Sequence, residues 1–190
     1  MKKLLQEIHA CTICNAHLPH GPNPVLQAGK NARLLIIGQA PGKKVHESGI
    51  PWDDASGNQL RKWLGVDKDI FYNPDIVALV PMGFCYPGKG SSGDLPPRPE
   101  CAPQWHDALL NNMKQVQLTI LIGQYAQKHY LGLNNKDNLT ATVQTYNEYL
   151  PRYLPLPHPS PRNRFWLYKN PWFEAELVPL LQERVRKIIS

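Results

Sequence analysis

Four short apolar runs constrain this chain most: "ARLLIIG" from Ala32, "DIVALV" from Asp75, "LTILIG" from Leu118 and "RYLPLP" from Arg152. Each is four to six residues of mostly branched aliphatic side chains, too short for a core helix and apolar on both faces. Strands of that kind belong to a parallel sheet covered on both sides. The segments between them supply the covers, among them "KKLLQEIHA", "SGNQLRKWLGV", "PQWHDALLNNMKQV" and "QYAQKHYLG". Their apolar residues recur at helical spacing. Alternation of this sort predicts an α/β fold, a three-layer αβα sandwich around a central four-stranded, mostly parallel sheet. No internal repeat or linker divides it, so residues 1–190 read as one domain. Ser56 is the expected N-cap of the second helix. Asn170 with Pro171 marks the start of a closing helix through "NPWFEAELVPLLQERVRKII". The stretch "LTATVQTYNEYL" fits neither period clearly.

In such sheets ligands bind beyond the carboxyl ends of the strands. That edge collects Gly38–Gly42, Met82–Cys85, Gly123–Gln124 and His158–Asn163. The last lies in "LPLPHPSPRN", where four prolines surround one histidine and limit its backbone to a preset shape. Residues 83–102 form a long Gly/Pro loop, and loops of that length commonly carry function.

The hydrophobic content of 42% with 19% charged residues describes a globular chain. No run of about 18 apolar residues exists to span a membrane. The opening "MKKLLQEIHACTIC" is too interrupted for a secretory signal. These features lead us to expect a cytoplasmic, nucleoid-associated monomer. The formal net charge of +6 suits a polyanionic partner.

Three strand-end motifs, in order, carry a resemblance. "GQAPG" after the first strand, "GIPWDDASG" soon after it, and "HPSPRN" after the last strand resemble the uracil-DNA glycosylase superfamily. Its bacterial and archaeal iron–sulfur branches are the most similar. The resemblance implies an enzyme of base excision repair. It would bind DNA containing a damaged base, flip out uracil or another deaminated base, and hydrolyse the N-glycosidic bond. No lysine stands as an obvious Schiff-base nucleophile, so a monofunctional glycosylase is expected. A catalytically weak DNA-binding or damage-sensing protein on the same fold is the second reading.

The resemblance also distributes roles. His158 would stabilise the departing base, as a donor aimed at a developing oxyanion. Asp54, with Asp53 second, would orient water or steady the positive sugar. Gln39 would orient water or touch the base. Gly38, Ala40, Pro41 and Gly42 form the turn that lets backbone approach the ligand, and Trp52 would stack on the flipped base. Ser160, Pro161, Arg162 and Asn163 form the loop on the DNA, with Arg162 filling the gap or holding a phosphate. Related branches read the base with an asparagine at the end of the second strand. Here Pro81 stands near that place, so either the preferred base differs from uracil or backbone groups of Met82 and Gly83 read it. Val45 and His46 replace an acidic pair. Lys43, Lys44, Arg162 and Arg164 should make a basic rim.

Four cysteines, Cys11-x2-Cys14 and Cys85-x15-Cys101, match the spacing of the iron–sulfur branches. Four thiolates complete the ligand set of a four-iron, four-sulfur (4Fe-4S) cluster. Zinc accepts the same four sulfurs and is the second candidate. In either case the centre would be structural, tying the N-terminal helix to the long proline loop.

Overall fold

The structure is a computed structural model and describes residues 1–133 and 138–190. Its first helix, α1 (Lys2–His9), precedes strand β1 (Leu34–Ile37). Helices α2 (Lys43–Ser48), α3 (Ala55–Leu64) and α4 (Lys68–Phe71) lead to β2 (Val77–Leu79). After the long loop come α5 (Cys101–Asn112), β3 (Leu118–Ile122), α6 (Gly123–Leu131) and α7 (Leu139–Gln144). Strand β4 (Tyr153–Leu156), α8 (Arg164–Lys169) and α9 (Val178–Ile189) complete the chain.

The strands form one sheet in the order β2-β1-β3-β4, and every pairing is parallel. Pleating sends alternate residues to opposite faces. Leu34, Ile36, Val77, Leu79, Ile120 and Leu154 join one core with Leu60 and Trp63 of α3, Val143 of α7, and Leu181 and Val185 of α9. Leu35, Ile37, Ala78, Val80 and Leu121 join the other, with Ile8 of α1, Leu109 of α5 and Ala126 of α6. All three layers of the expected sandwich are therefore present. The sheet is wholly parallel because every connection between strands crosses over through helix. Among the described residues no helix is long and apolar enough to cross a membrane.

Several details differ from the sequence expectation. Asp54, not Ser56, caps α3: its Oδ1 accepts from the Gly57 amide at 2.8 Å, while Ser56 is buried one position inside the first turn. The closing helix begins later than Asn170. That residue instead terminates α8, donating through Nδ2 to the Trp166 carbonyl and accepting from Trp172 Nε1. A π turn, Phe173–Leu177, then leads into α9. The undecided stretch becomes α7 followed by a 3-10 turn, Tyr146–Tyr149.

Candidate active site

The carboxyl ends of β1, β2 and β4 open into one cleft holding a cavity of about 430 Å³. A space of that size lies within the range of small-molecule pockets. The turn Gly38–Gly42 forms one wall, His158, Ser160 and Arg162 another, and Trp52 with Asp54 a third. Leu79 and Pro81 line it at the end of β2, and Gly93, Asp94 and Leu95 reach it from the long loop.

Trp52 is held by strain. Its φ of 57° is the only positive value among the described residues other than glycine. For a bulky residue that region costs about 1–3 kcal/mol and persists where the surroundings enforce it. Two glycines do so here. A Cβ on Gly57 would lie 2.7 Å from the Trp52 carbonyl carbon and nearer still to its oxygen. A Cβ on Gly38 would lie 2.8 Å from the ring at Cζ2. One glycine thus admits the backbone of Trp52 and the other admits its indole. The ring then faces His158, with centroids 5.7 Å apart and planes 30° apart.

His158 is partly buried on the loop after β4. Desolvation pushes its pKa below the ordinary histidine value, against the opposing charges of Asp54 and Asp94. The imidazole is therefore neutral near pH 7 and carries one N–H to donate. Its backbone is fixed from behind: Asn163 Nδ2 donates to the His158 carbonyl at 2.7 Å. Ser160 Oγ accepts from the Arg162 amide at 3.2 Å, and Pro161 opens the 3-10 turn that carries Arg162. Asn163 and Pro161 shape the loop and do not line the cleft. Arg162 lines it directly.

Met82 and Gly83, expected at the base edge, lie outside the cleft lining. Their amides are spent on the neighbouring turn: Met82 N–H donates to the Gly38 carbonyl at 2.9 Å and Gly83 N–H to that of Gln39 at 3.0 Å. The Met82 side chain is core, 7% exposed. Pro81 has no amide hydrogen, and its carbonyl accepts from His106 Nε2 at 3.0 Å. Since a carbonyl only accepts, His106 carries its proton on Nε2, and Nδ1 accepts from the Tyr130 hydroxyl at 2.5 Å. Asp53 is likewise outside the lining, beside the capping Asp54. Lys43 and Lys44 begin α2 directly after the cleft turn, Lys43 within 3.8 Å of Glu47. Arg164 begins α8 beside the proline loop.

Sequence reasoning missed Asp94 and Tyr86. Asp94 Oδ2 lies 3.6 Å from where a Gly42 Cβ would be, and the Tyr86 phenol lies close enough to feel the Asp94 carboxylate. Burial and that negative charge raise the Tyr86 phenol above its usual pKa. The only signal was an acid placed near the centre of the long Gly/Pro loop expected over residues 83–102.

A second, smaller pocket is lined by all four cysteines, among Leu18, Pro22, Pro24, Phe84 and Trp105. The Phe84 amide donates to Cys101 Sγ at 3.3 Å, and Cys14 Sγ approaches Glu100 Oε2 at 3.7 Å. Hydrogen bonding to Arg98 lowers the Glu100 pKa to about 2. Burial pushes the Cys85 thiol up to about 11 and the Cys101 thiol up to about 12, so both are protonated near neutral pH. Among the described residues, no group of three or more His, Cys, Asp or Glu is arranged as a metal site. In donor chemistry, four sulfurs and an apolar surround, the pocket fits a thiolate-held centre.

The family model described as the uracil DNA glycosylase superfamily matches residues 26–182. That span takes in the whole sheet, the strained Trp52 and the loop of His158. With the parallel sheet and the strand-end cleft, it identifies the chain as a member of the uracil-DNA glycosylase superfamily.

Proposed function

We propose that the protein is a monofunctional DNA glycosylase that excises uracil or another deaminated base from DNA. The observation that carries this reading is the neutral His158, set against the strained Trp52 in a base-sized cleft at the strand ends. In the reaction the C1′–N bond breaks and its electron pair leaves with the base. The His158 N–H donates to the oxygen on which that charge collects, which lowers the barrier by stabilising the leaving group. Water adds its oxygen to C1′. Asp54 keeps one carboxylate oxygen as the α3 cap and has the second for orienting that water and receiving its proton. The proton returns through solvent to the released base. The net reaction is hydrolysis to free base and abasic sugar.

Cys11, Cys14, Cys85 and Cys101 would hold a four-iron cluster, with zinc the second candidate. Such a group supplies a covalent cross-link between the N-terminal segment and the long loop, with no part in bond cleavage.

A second reading is a damage-sensing DNA-binding protein with little catalysis. Two features favour it: Pro81 offers no amide side chain at the end of β2, and Asp54 is partly occupied as a cap. Oligonucleotides bearing single uracil, hypoxanthine or xanthine residues separate the two, with abasic sites scored after incubation. Release from at least one is expected, and His158→Ala should slow it by roughly 10²–10³-fold, the usual range for one lost oxyanion donor. DNA affinity should change little, because phosphates supply most of it. A His158→Ala protein that still releases base at the wild-type rate removes His158 from the mechanism.

A further inference from the structure

At the end of β2 the backbone has no free N–H left to donate to a base. Pro81 lacks an N–H and its carbonyl is engaged by His106, and the Met82 and Gly83 amides are bonded to the Gly38 and Gln39 carbonyls. Around the cleft, Asp54 caps α3 and Ser160 accepts from Arg162. With the second Asp54 oxygen assigned to water and Arg162 to the DNA, the lining side chains whose amide or carboxylate is left to face a base edge are Gln39 and Asp94. They differ in chemistry. An amide carries both donor and acceptor and can rotate to match either pattern, whereas an ionised carboxylate only accepts.

Asp94 is also fixed in place. Its loop is pinned by Leu95 N–H to the Gly88 carbonyl at 2.9 Å and by Gly90 N–H to the Gly93 carbonyl at 2.7 Å. Asp94 forms an antiparallel bridge with Lys89, and Tyr86, 3% exposed, lies near its carboxylate. The neighbouring Gly93 abuts Arg162, whose Nη1 lies 3.3 Å from where a Gly93 Cβ would be.

We propose that Asp94 is the specificity-determining residue of the cleft, accepting a ring N–H that deamination creates. This rests on the glycosylase reading above. Cytosine presents a lone pair at N3, and uracil presents N3–H. Adenine presents a lone pair at N1, and hypoxanthine presents N1–H. A carboxylate facing that atom attracts the deaminated base and repels the intact one. The substrate class is therefore the lactam bases produced by loss of an exocyclic amine. Guanine also carries a ring N–H, so its exclusion rests on pocket shape. The discrimination assigned to Asp94 is uracil against cytosine and hypoxanthine against adenine. Tyr86 is the positioning residue that orients the carboxylate.

The test measures both equilibrium affinity and single-turnover release on oligonucleotides that differ only in the target base: uracil, cytosine or 3-methyluracil. Affinities are read in a His158→Ala background, so that they do not depend on turnover. Hydrogen bonds to a charged group predict that the Asp94 protein favours uracil over 3-methyluracil by roughly 10–100-fold. Asp94→Ala should erase most of that preference, because the acceptor goes and the methyl gains room. Asp94→Asn should narrow the uracil-to-cytosine ratio, because its amide can donate to N3. Tyr86→Phe should weaken the same preference to a smaller degree. If Asp94→Asn slows release from uracil but leaves the affinity ratios among the three bases intact, the carboxylate serves water or sugar and the proposal is overturned. If the wild type releases no base at all, the glycosylase reading fails, and the affinity ratios still decide the role of Asp94.

Discussion

Replacing Gly57 by alanine sets local propensity directly against tertiary structure. Gly57 is the third residue of α3, where a glycine-to-alanine change taken alone stabilises a helix by about 1 kcal/mol. The cleft predicts the opposite sign. The new methyl would overlap the Trp52 carbonyl, and the obstacle is backbone, which cannot rotate aside. Relieving the overlap means moving Trp52 away from the helix, which breaks the Gly57 amide bond to Asp54 Oδ1, now 2.8 Å. A lost N-cap costs about 1 kcal/mol. Forced overpacking costs about 1–3 kcal/mol more. Set against the propensity gain, the net is a loss of about 2 kcal/mol, or roughly 4–8 °C in Tm for a chain of this size. Gly38→Ala should cost less, because its clash is with the outer edge of an indole that can swing. Calorimetry on the two variants gives the order, and base release shows whether Trp52 has left its place beside His158. A Gly57→Ala protein that melts at or above the wild-type temperature would refute the argument that this glycine is there for Trp52.

Binding to DNA should weaken steeply as salt rises, and Arg162→Ala should reduce the slope of log K against log salt by about 1; a salt-independent affinity would remove Arg162 from the phosphates. Anaerobically purified protein should be brown, with broad absorption near roughly 400 nm and bound iron and sulfide, and Cys85→Ser should lose all three; zinc without iron would refute the cluster. His106 is 2% exposed, and burial first of all lowers its pKa from 6.5 to about 4. The unfolded chain thus takes up a proton before the folded one. The stability this histidine contributes is complete above about pH 6.5 and falls by about 3 kcal/mol on descending to pH 4. Denaturant unfolding of wild type and His106→Gln across that range should show the difference vanish at the acid end; a constant difference would refute the burial argument.

The sheet was legible because each strand is buried on both faces, and four apolar residues in a row can satisfy that only in a covered parallel sheet. The strand-end residues Gly38–Gly42 and His158 were legible for the same reason, since topology alone sends them to one edge. What stayed hidden depends on contacts distant in sequence. The α3 cap was misplaced by two residues because Asp54 and Ser56 are both good caps, and only the turn of Trp52 decides between them. Helix α2, "KKVHES", is too short to show a period. Asp94 lies in a Gly/Pro loop with no periodicity, 52 residues beyond Gly42 in the chain. The engagement of Met82 and Gly83 could not be read at all, because backbone hydrogen bonds to a neighbouring turn leave no trace in side-chain identity.

The two pockets are joined by one segment of chain. Cys85 and Cys101 bracket the long loop, and Asp94 stands near its middle on the cleft wall. From its far end, α5 carries His106 back to the Pro81 carbonyl at the end of β2. The loop is therefore closed by the Phe84 amide on Cys101 Sγ, pinned within by Leu95 on Gly88, and tied through α5 and His106 to the strand edge. Loops of this length lose considerable entropy when ordered, and fixing both ends lowers that cost for every residue between them. A centre that binds the four thiols would thus act on the cleft without entering it, by holding the wall that presents Asp94. On the proposed reading, this would give a physical reason for four cysteines placed away from the cleft. It also locates the effect of losing that set: the Asp94 wall should loosen while the Trp52–His158 pair, held by Gly38, Gly57 and Asn163, keeps its geometry.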